Sequence, residues 1–326
     1  MEKLEMETGE GEKLSFDSAI PNEIVSQILP PVDQSVFSLY GQGSYLTQKI
    51  QIENLAIWHI SHTIFKDTIL HCTRSESFLY LHMVLKSSAH LETKGLKTAD
   101  ILEGQFNITF LPYVDVKSVY KPGKQVSVLI PYSVEHLSKF VQEFQGLEKF
   151  LSNVENNIAS RLAPRHIFAS AEMIRVVNEI LYARFTKPLN TLYIETKSLE
   201  LLFLAIRKLT NEKGNKIITK QADIQKIHSA KEWLMENIDD PGTLAQLASR
   251  VHTNEFKLKS IFKEVYGTTV FDFLLNARME NAKKLLLETE LPIADIGYLA
   301  GYSSPATFTS AFRKHFGYAP KFVRKK

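Results

Sequence analysis

Apolar and polar side chains alternate through much of residues 36–131, and this period of two predicts short β-strands. Phe106, Ile108 and Phe110 fall on one face of such a strand, because successive side chains point to opposite faces. Another run, FLYLHMVL at 78–85, is rich in residues that favour strands. Several short strands at roughly ten-residue spacing are typical of a small β-sandwich or barrel, and we interpret the region as a cupin-like domain.

The hydrophobic period becomes helical in residues 133–209, which predicts a helical extension of the β domain. Four apolar residues in this extension follow a three-four-three spacing and form a narrow seam: Leu199, Leu202, Ile206 and Leu209. The seam has two possible uses, a homodimer interface or packing against the β domain. Residues 1–35 are polar or broken by proline and predict a partly ordered lead-in, so the sensor or dimerisation domain is placed at 36–209.

The same short pattern occurs twice in the last third of the chain, at 243–267 and at 292–317. Each copy predicts a short apolar helix, a turn and a longer amphipathic helix, which is the outline of a helix-turn-helix. Residues 210–222 combine glycine, asparagine and charges with little apolar periodicity, and they predict an interdomain linker. The chain is therefore predicted to be α+β, with an all-α C-terminal domain at 223–326.

Capping signals place the two longer helices at about 254–266 and 305–316. Ser304 followed by Pro305 is a typical helix start, since a proline at the first helical position loses no hydrogen bond. Gly267 and Gly317 follow the last helical residues, where a left-handed backbone favours glycine.

The outward face of each longer helix carries side chains that suit DNA. A helix of this width fits the major groove, where side chains of its first turns meet base edges. The residues predicted to contact bases are Phe256, Lys259, Ser260, Ala306, Thr309 and Ser310. Those predicted to contact the phosphate backbone are Thr253, Asn254, Lys263, Ser304, Arg313 and Lys314. A merely solvated face is the alternative for one copy, and the matched faces of two copies favour DNA.

One long helix is predicted between the two copies, within residues 268–291. A helix of about twenty residues spans about 30 Å, close to the ~34 Å of one DNA turn. A single chain is therefore expected to place its two recognition helices in successive major grooves.

Composition and charge agree with a cytoplasmic DNA-binding protein. The net charge at pH 7 is +3, and residues 223–326 account for all of it with 15 basic and 12 acidic residues. The N-terminal sequence has no secretory signal pattern, and no apolar run is long enough to span a membrane. Cys72 is the only cysteine, so no intrachain disulfide is expected.

Histidines in the β-rich region raise the rival possibility of a metal-dependent cupin enzyme. His59 and His62 are three residues apart, which on one strand puts them on opposite faces, and no acidic residue completes a metal-binding pattern. Cys72 lies in no catalytic motif. We therefore expect no metal, cofactor or catalytic residue.

Aromatic residues of the β-rich region form a candidate pocket for a small-molecule effector, with simple core packing as the alternative. They are Trp58, Phe78, Tyr80, Phe106, Phe110 and Tyr113.

The run from Arg278 to Pro320 resembles the signature region of AraC/XylS-type transcription regulators. The family run R-x-x-x-A-x-x-L-L, I-x-x-I-A, G-[FY] and S-x-x-x-F-x-x-x-F-[KR]-x-x-F-G is matched at most positions: Arg278, Ala282, Leu285, Leu286, Ile293, Ile296, Gly301, Tyr302, Ser304, Phe308, Phe312, Arg313, Phe316 and Gly317. The chain departs from it in three places: Gly297 replaces alanine, Val323-Arg324 replaces a tyrosine-arginine pair, and Ser310 replaces a long basic side chain. The resemblance implies weaker base readout by the second recognition helix.

The N-terminal half resembles the pyochelin-regulator-like (PchR-like) branch of the same family through GQFNITFLPY and LNTLYIETKSLELLFL. Members of that branch are understood as cytoplasmic activators that respond to small ligands, siderophores among them. The resemblance implies a ligand-responsive activator that binds double-stranded promoter DNA and works with RNA polymerase, with no membrane partner. A constitutive regulator whose N-terminal half only dimerises remains the second interpretation.

Overall fold

The chain divides into two compact units, residues 1–216 and residues 217–326. The computed structural model describes residues 4–52, 55–210 and 221–323. The first unit is rich in β-strands and the second is helical, so the predicted α+β class with a helical C-terminal domain is confirmed.

The described part of the N-terminal unit contains thirteen strands, all paired with antiparallel neighbours. In chain order they are β1 (Glu5–Thr8), β2 (Gln34–Tyr40), β3 (Gly43–Ile52), β4 (Leu55–Ile64), β5 (Thr68–Arg74), β6 (Phe78–Lys86), β7 (Ala89–Thr93), β8 (Ala99–Ile101), β9 (Gln105–Leu111), β10 (Val114–Tyr120), β11 (Gly123–Pro131), β12 (Ser160–Arg161) and β13 (Ile167–Phe168). One sheet has the order β1-β5-β10-β7-β8, and the other has the order β12-β9-β6-β11-β4-β3-β2, with β13 also paired to β9.

Helices follow and flank these sheets: α1 (Asn22–Val25), α2 (Val134–Ser138), α3 (Leu147–Glu155), α4 (Ala171–Leu181) and α5 (Lys187–Thr210). A continuous apolar core joins the larger sheet to α3, α4 and α5, and it includes Phe106, Ile108, Phe150, Met173 and Leu201. A separate apolar cluster lies around Tyr45, Trp58 and Leu70, with the partly buried Phe78 and Tyr120 packed against it. The larger sheet therefore packs on helices with some of its side chains and contributes others to a second apolar cluster.

The N-terminal segment corrects the prediction of a partly ordered lead-in over residues 1–35. Strand β1 pairs with β5, from Glu5 opposite Thr73 to Thr8 opposite Leu70. Met6, Leu14 and Leu29 are buried in the apolar clusters. The segment is polar on average, but its few apolar side chains lie where this pairing buries them, and average composition does not reveal such isolated anchors.

Helix α5 corrects the predicted dimer seam. Leu202, Ile206 and Leu209 are buried in the core of their own domain, and only Leu199 remains exposed, at 40%. Helix α5 packs on α4 and contacts β3 and β9, so three of the four seam residues serve the packing alternative. A different apolar stripe of α5 faces outward and contains Leu189, Leu192, Leu199 and Phe203.

The C-terminal unit is a chain of six helices in its described part, ending in a 3-10 turn at Pro320–Phe322. The helices are α6 (Gln221–Glu236), α7 (Leu244–Arg250), α8 (Glu255–Tyr266), α9 (Val270–Glu288), α10 (Ile293–Leu299) and α11 (Pro305–Phe316). Helices α7 and α8 form the first helix-turn-helix, α10 and α11 form the second, and α9 is the predicted long helix between them. Most of the predicted linker at 210–222 lies outside the described residues.

None of the helices in the described part of the chain is both long and apolar enough to cross a membrane.

Candidate nucleic-acid interface and effector cavity

The first recognition helix, α8, starts and ends where the capping pattern predicts. Thr243 and Gln246 form a reciprocal capping box at the start of α7, with Thr243 N–H donating to Gln246 Oε1 at 2.7 Å. Asn254 Oδ1 then accepts the backbone N–H of Lys257 at 2.8 Å and caps α8. Gly267 ends α8 in the left-handed conformation at φ 69°.

The two faces of α8 separate apolar anchors from DNA-type side chains. Leu258, Ile261, Phe262 and Val265 are buried at helical spacing. Phe256, Lys259 and Lys263 are exposed, with Phe256 at 81%, whereas Ser260 and Thr253 are partly buried. Such an exposed aromatic ring suits contact with a thymine methyl.

The second recognition helix, α11, repeats this design with shorter side chains. Ser304 Oγ accepts the backbone N–H of Thr307 at 3.2 Å, Pro305 opens the helix, and Gly317 closes it at φ 82°. Its buried face is formed by Phe308 and Phe312. Four of the predicted DNA-contact residues lie together beside Pro305 along one shallow groove: Ala306, Thr309, Ser310 and Arg313. Lys314 is exposed on the same helix.

Asn254 and Ser304, which were predicted to touch DNA phosphates, use their side-chain oxygens as helix caps. The exposed end of each recognition helix still presents backbone N–H groups and the positive end of the helix dipole, which favour a phosphate. Contact of Asn254 and Ser304 with DNA stays a prediction.

Arg278 on α9 holds two parts of the C-terminal domain together, a role that sequence reasoning missed. Its Nε donates to the carbonyl of Ile238 at 2.8 Å and its Nη2 donates to the carbonyl of Asp239 at 2.9 Å. A β-carbon added at Gly301 would lie 2.6 Å from the same guanidinium. The signal was an arginine among apolar residues of one helix face, which needs carbonyl partners when it packs inward.

Gly297, one of the departures from the signature, lies against Phe308. A β-carbon at this position would approach the Phe308 side chain at 3.1 Å. The glycine therefore allows α10 and α11 to pack more closely than an alanine at the same backbone position would.

The β domain contains a cavity of about 160 Å³ between strands of both sheets. Trp58, Phe78 and Tyr80 line it as predicted, with ring centroids 5.9 Å apart for the first pair and 4.6 Å for the stacked second pair.

The other three predicted pocket residues do not line this cavity, which corrects half of the set. Phe106 and Phe110 are buried in the core shared with the helices, and Tyr113 is 41% exposed with Lys94 beside its ring. The prediction was wrong for Phe106 and Phe110 because successive side chains of a strand point to opposite faces. Thr109, which alternates with Phe106 and Phe110 along β9, is the β9 residue that lines the cavity.

Histidines near the cavity are neutral groups in an apolar setting. Burial lowers the pKa of His62 to about 3, that of His82 to about 4 and that of His166 to about 3. In the part of the chain that the structure describes, no group of three or more His, Cys, Asp or Glu is placed to hold a metal ion.

Comparisons with known proteins find a family match for the β-rich part of the chain and another for its helical part. Residues 42–217, more than half of the chain, match the regulatory protein PchR N-terminal domain, and residues 247–326 match a helix-turn-helix domain. Regulatory protein PchR of Pseudomonas aeruginosa is 33% identical over 125 residues, which cover 37% of this chain and 42% of that protein. The transcriptional regulator ExsA of the same organism is 26% identical over 212 residues, covering 62% of this chain and 72% of ExsA.

A solved AraC-type DNA-binding-domain regulator from Chromobacterium violaceum is 30% identical, covers 32% of this chain and 94% of that chain, and has a TM-score of 0.30. The match to PchR spans less than half of that relative's length. The two family matches, over residues 42–217 and 247–326, show that the chain belongs to the family of AraC-type regulators that carry a PchR regulatory N-terminal domain.

Proposed function

We propose that this protein is a sequence-specific, DNA-binding transcription regulator that inserts α8 and α11 into successive major grooves. The observation that carries the proposal is the pair of recognition helices with matching caps, matching buried faces and outward DNA-type side chains. Helix α9 has 19 residues and is about 28 Å long, which suits two grooves one turn apart.

The first helix is proposed to read bases more strongly than the second. Helix α8 presents a lysine and an exposed phenylalanine in its first two turns, whereas α11 presents alanine, threonine and serine there. A lysine donates to guanine O6 or N7, and small hydroxyls discriminate less between bases. Arg313 and Lys314, further along α11, are suited to phosphates.

Selection of genomic fragments by the purified full chain tests this function. We expect a few fragments to be enriched and to compete at least a hundredfold better than unrelated DNA at physiological salt. Equal binding of selected and unrelated DNA would overturn the proposal.

The β-domain cavity is proposed to bind a small effector that changes DNA affinity, which makes the regulator ligand-responsive. An effector that binds one conformation better shifts the population toward it. The family branch favours activation with RNA polymerase as partner, in the cytoplasm. A constitutive regulator would bind its DNA equally with and without any cavity ligand, so a DNA titration in both conditions separates the two alternatives.

Homodimerisation is proposed through the outward stripe of α5 rather than through the seam predicted from sequence. Leu189, Leu192, Leu199 and Phe203 are all at least 39% exposed and follow helical spacing along one face. Sedimentation should detect a dimer in the wild type and a monomer for Leu192→Glu, with Lys187→Glu on the same helix as control. A monomeric wild type at tens of micromolar would contradict this interface.

No enzymatic activity is proposed for the chain. Burial raises the pKa of the Cys72 thiol to about 12, whereas a nucleophilic cysteine needs a lowered pKa.

A further inference from the structure

Among the cationic side chains that line the cavity between the two sheets, Arg161 is partly buried and has no anionic partner in the described part of the chain, whereas Lys86 is exposed. Arg161 lines the cavity, and its Nη1 donates to the backbone carbonyl of Lys97 at 3.0 Å. Its Nε is buried without a hydrogen-bond partner, and Arg161 forms no ion pair with any residue that the structure describes. An arginine stays protonated even where burial lowers its pKa, as it does here. Its charge is therefore uncompensated inside the cavity.

The other ionisable side chains near Arg161 leave that charge unchanged at neutral pH. Burial lowers the pKa of His82 to about 4 and that of His166 to about 3, so both rings are neutral. Burial also raises the pKa of Tyr80 to about 12. His166 is 7% exposed, and neither of its ring nitrogens has a hydrogen-bond partner. A buried polar ring without a protein partner is costly, and a partly buried charge without a counter-ion adds to that cost, so the two together favour an anionic ligand group at this place.

A second arginine in the same cavity shows the contrast. Arg74 also lines the cavity, but its Nη2 lies 2.7 Å from Glu76 Oε2 in an ion pair. Arg74 also packs over the Phe78 ring, at 5.3 Å from its centroid, and its ion pair makes it the matched control for the unpaired Arg161.

Aromatic rings form one part of the cavity wall. Phe78 stacks on Tyr80, Trp58 meets Phe78 edge-on, and Tyr80 interacts electrostatically with Arg161. The volume of about 160 Å³ is close to that of an engineered cavity of ~150 Å³ that admits benzene. The cavity thus fits one ring with a short polar substituent.

We propose that the effector is a small organic anion, a single flat ring bearing a carboxylate, whose carboxylate pairs with Arg161 while its ring packs on Trp58, Phe78 and Tyr80. His166 donates a further hydrogen bond to the carboxylate from its neutral ring. This inference rests on the proposed function, in which the cavity binds an effector.

A matched pair of probes tests the charge requirement on the full chain. Phenylacetate and phenylacetamide have nearly the same shape, and only the first is an anion. By titration calorimetry we expect phenylacetate to bind at least tenfold more tightly than phenylacetamide. Arg161→Gln should remove that preference, Arg161→Lys should retain part of it, and Arg74→Gln should leave it within about twofold. Thermal unfolding of each variant shows that it is folded.

Two results would overturn the proposal. One is equal or tighter binding of the amide, and the other is an acid preference that survives Arg161→Gln. If the amide bound at least as tightly as the acid and altered DNA affinity, the effector role of the cavity would stand and the anionic class alone would fall. If neither probe bound at millimolar concentration, the anionic single-ring class would likewise fall, while the DNA selection would test the regulator independently.

Discussion

Side chains of the recognition helices differ in their distance from the helix start, and we propose that this distance separates base contact from phosphate contact. Lys259 lies in the second turn of α8, close to the end that enters the groove. Arg313 lies in the third turn of α11 and belongs to its last basic group with Lys314 and His315. A base contact affects one sequence, whereas a phosphate contact affects every sequence equally.

Lys259→Ala is therefore expected to cost about 1–3 kcal/mol of binding free energy on the preferred site and to relax preference at one base pair. Arg313→Ala should weaken binding to all sequences and lower the salt slope by about one unit. Mobility-shift titrations on a panel of single-base variants at several salt concentrations measure both. The assignment fails if the two variants lose the same affinity with the same base profile.

The neutral histidines of the β domain predict acid sensitivity. His62 has a folded-state pKa of about 3, below the ordinary value of 6.5, so the unfolded chain takes up the proton first. Its contribution to stability is present above pH 6.5 and is lost as the pH falls toward 3. By pH 5 the loss is about 2 kcal/mol for this one buried histidine.

Denaturant unfolding at pH 7 and pH 5 measures this loss. His62→Phe keeps an aromatic ring against Tyr45, whose ring centroid lies 3.7 Å away, and should make the pH dependence shallower. An unchanged pH dependence in the variant would contradict the explanation.

At the scale of elements, the junction between α9, α10 and the loop after α6 depends on one glycine. Gly301 has φ +77°, and a β-carbon there would meet Arg278 at 2.6 Å and the carbonyl of Asp239 at 2.8 Å. Gly317 has a similar φ of +82° but open space around it. Alanine substitutions at these two glycines therefore distinguish the cost of a left-handed backbone from the cost of steric crowding.

Gly317→Ala should lower the free energy of unfolding by about 1–2 kcal/mol, the cost of a left-handed backbone for a residue with a side chain. Gly301→Ala should cost clearly more, because it also displaces Arg278 from its two carbonyl partners. Tryptophan fluorescence in a Trp58→Phe background reports the C-terminal domain alone through Trp233. Equal losses in both variants would refute a junction role for Arg278.

Sequence patterns located the recognition helices well because local chemistry determines their ends. Ser304, Gly267 and Gly317 each act within a few residues, and the structure places them as the capping rules require. The same helical period predicted which residues lie on the outward faces of the two recognition helices.

Predictions that depended on tertiary contacts were less accurate. Phe106 and Phe110 lie on the same strand as Thr109, which lines the cavity. Alternation assigns these side chains to two faces of the strand, but it does not show which face the helices cover. Leu199 and Leu202 both belong to the seam predicted from sequence, yet the fold buries Leu202 and leaves Leu199 exposed. Arg161 lies far in sequence from the aromatic wall it faces, so no local pattern connected them.

The whole molecule combines a helical domain with two recognition helices and a β domain whose cavity is proposed to bind an effector. The two recognition helices are unequal, because α8 carries the long basic residue near its start and α11 does not. The base-specific part of affinity should therefore come mainly from the half-site under α8, while α11 contributes mostly through phosphates.

Hydroxyl-radical footprinting of the full chain on a selected genomic fragment tests whether both recognition helices bind DNA and whether they do so unequally. We expect two protected stretches on one face of the DNA, about ten base pairs apart. Base substitutions in one stretch should cost about 1–3 kcal/mol each, and those in the other should cost clearly less. A single protected stretch, or equal penalties in both, would contradict the account.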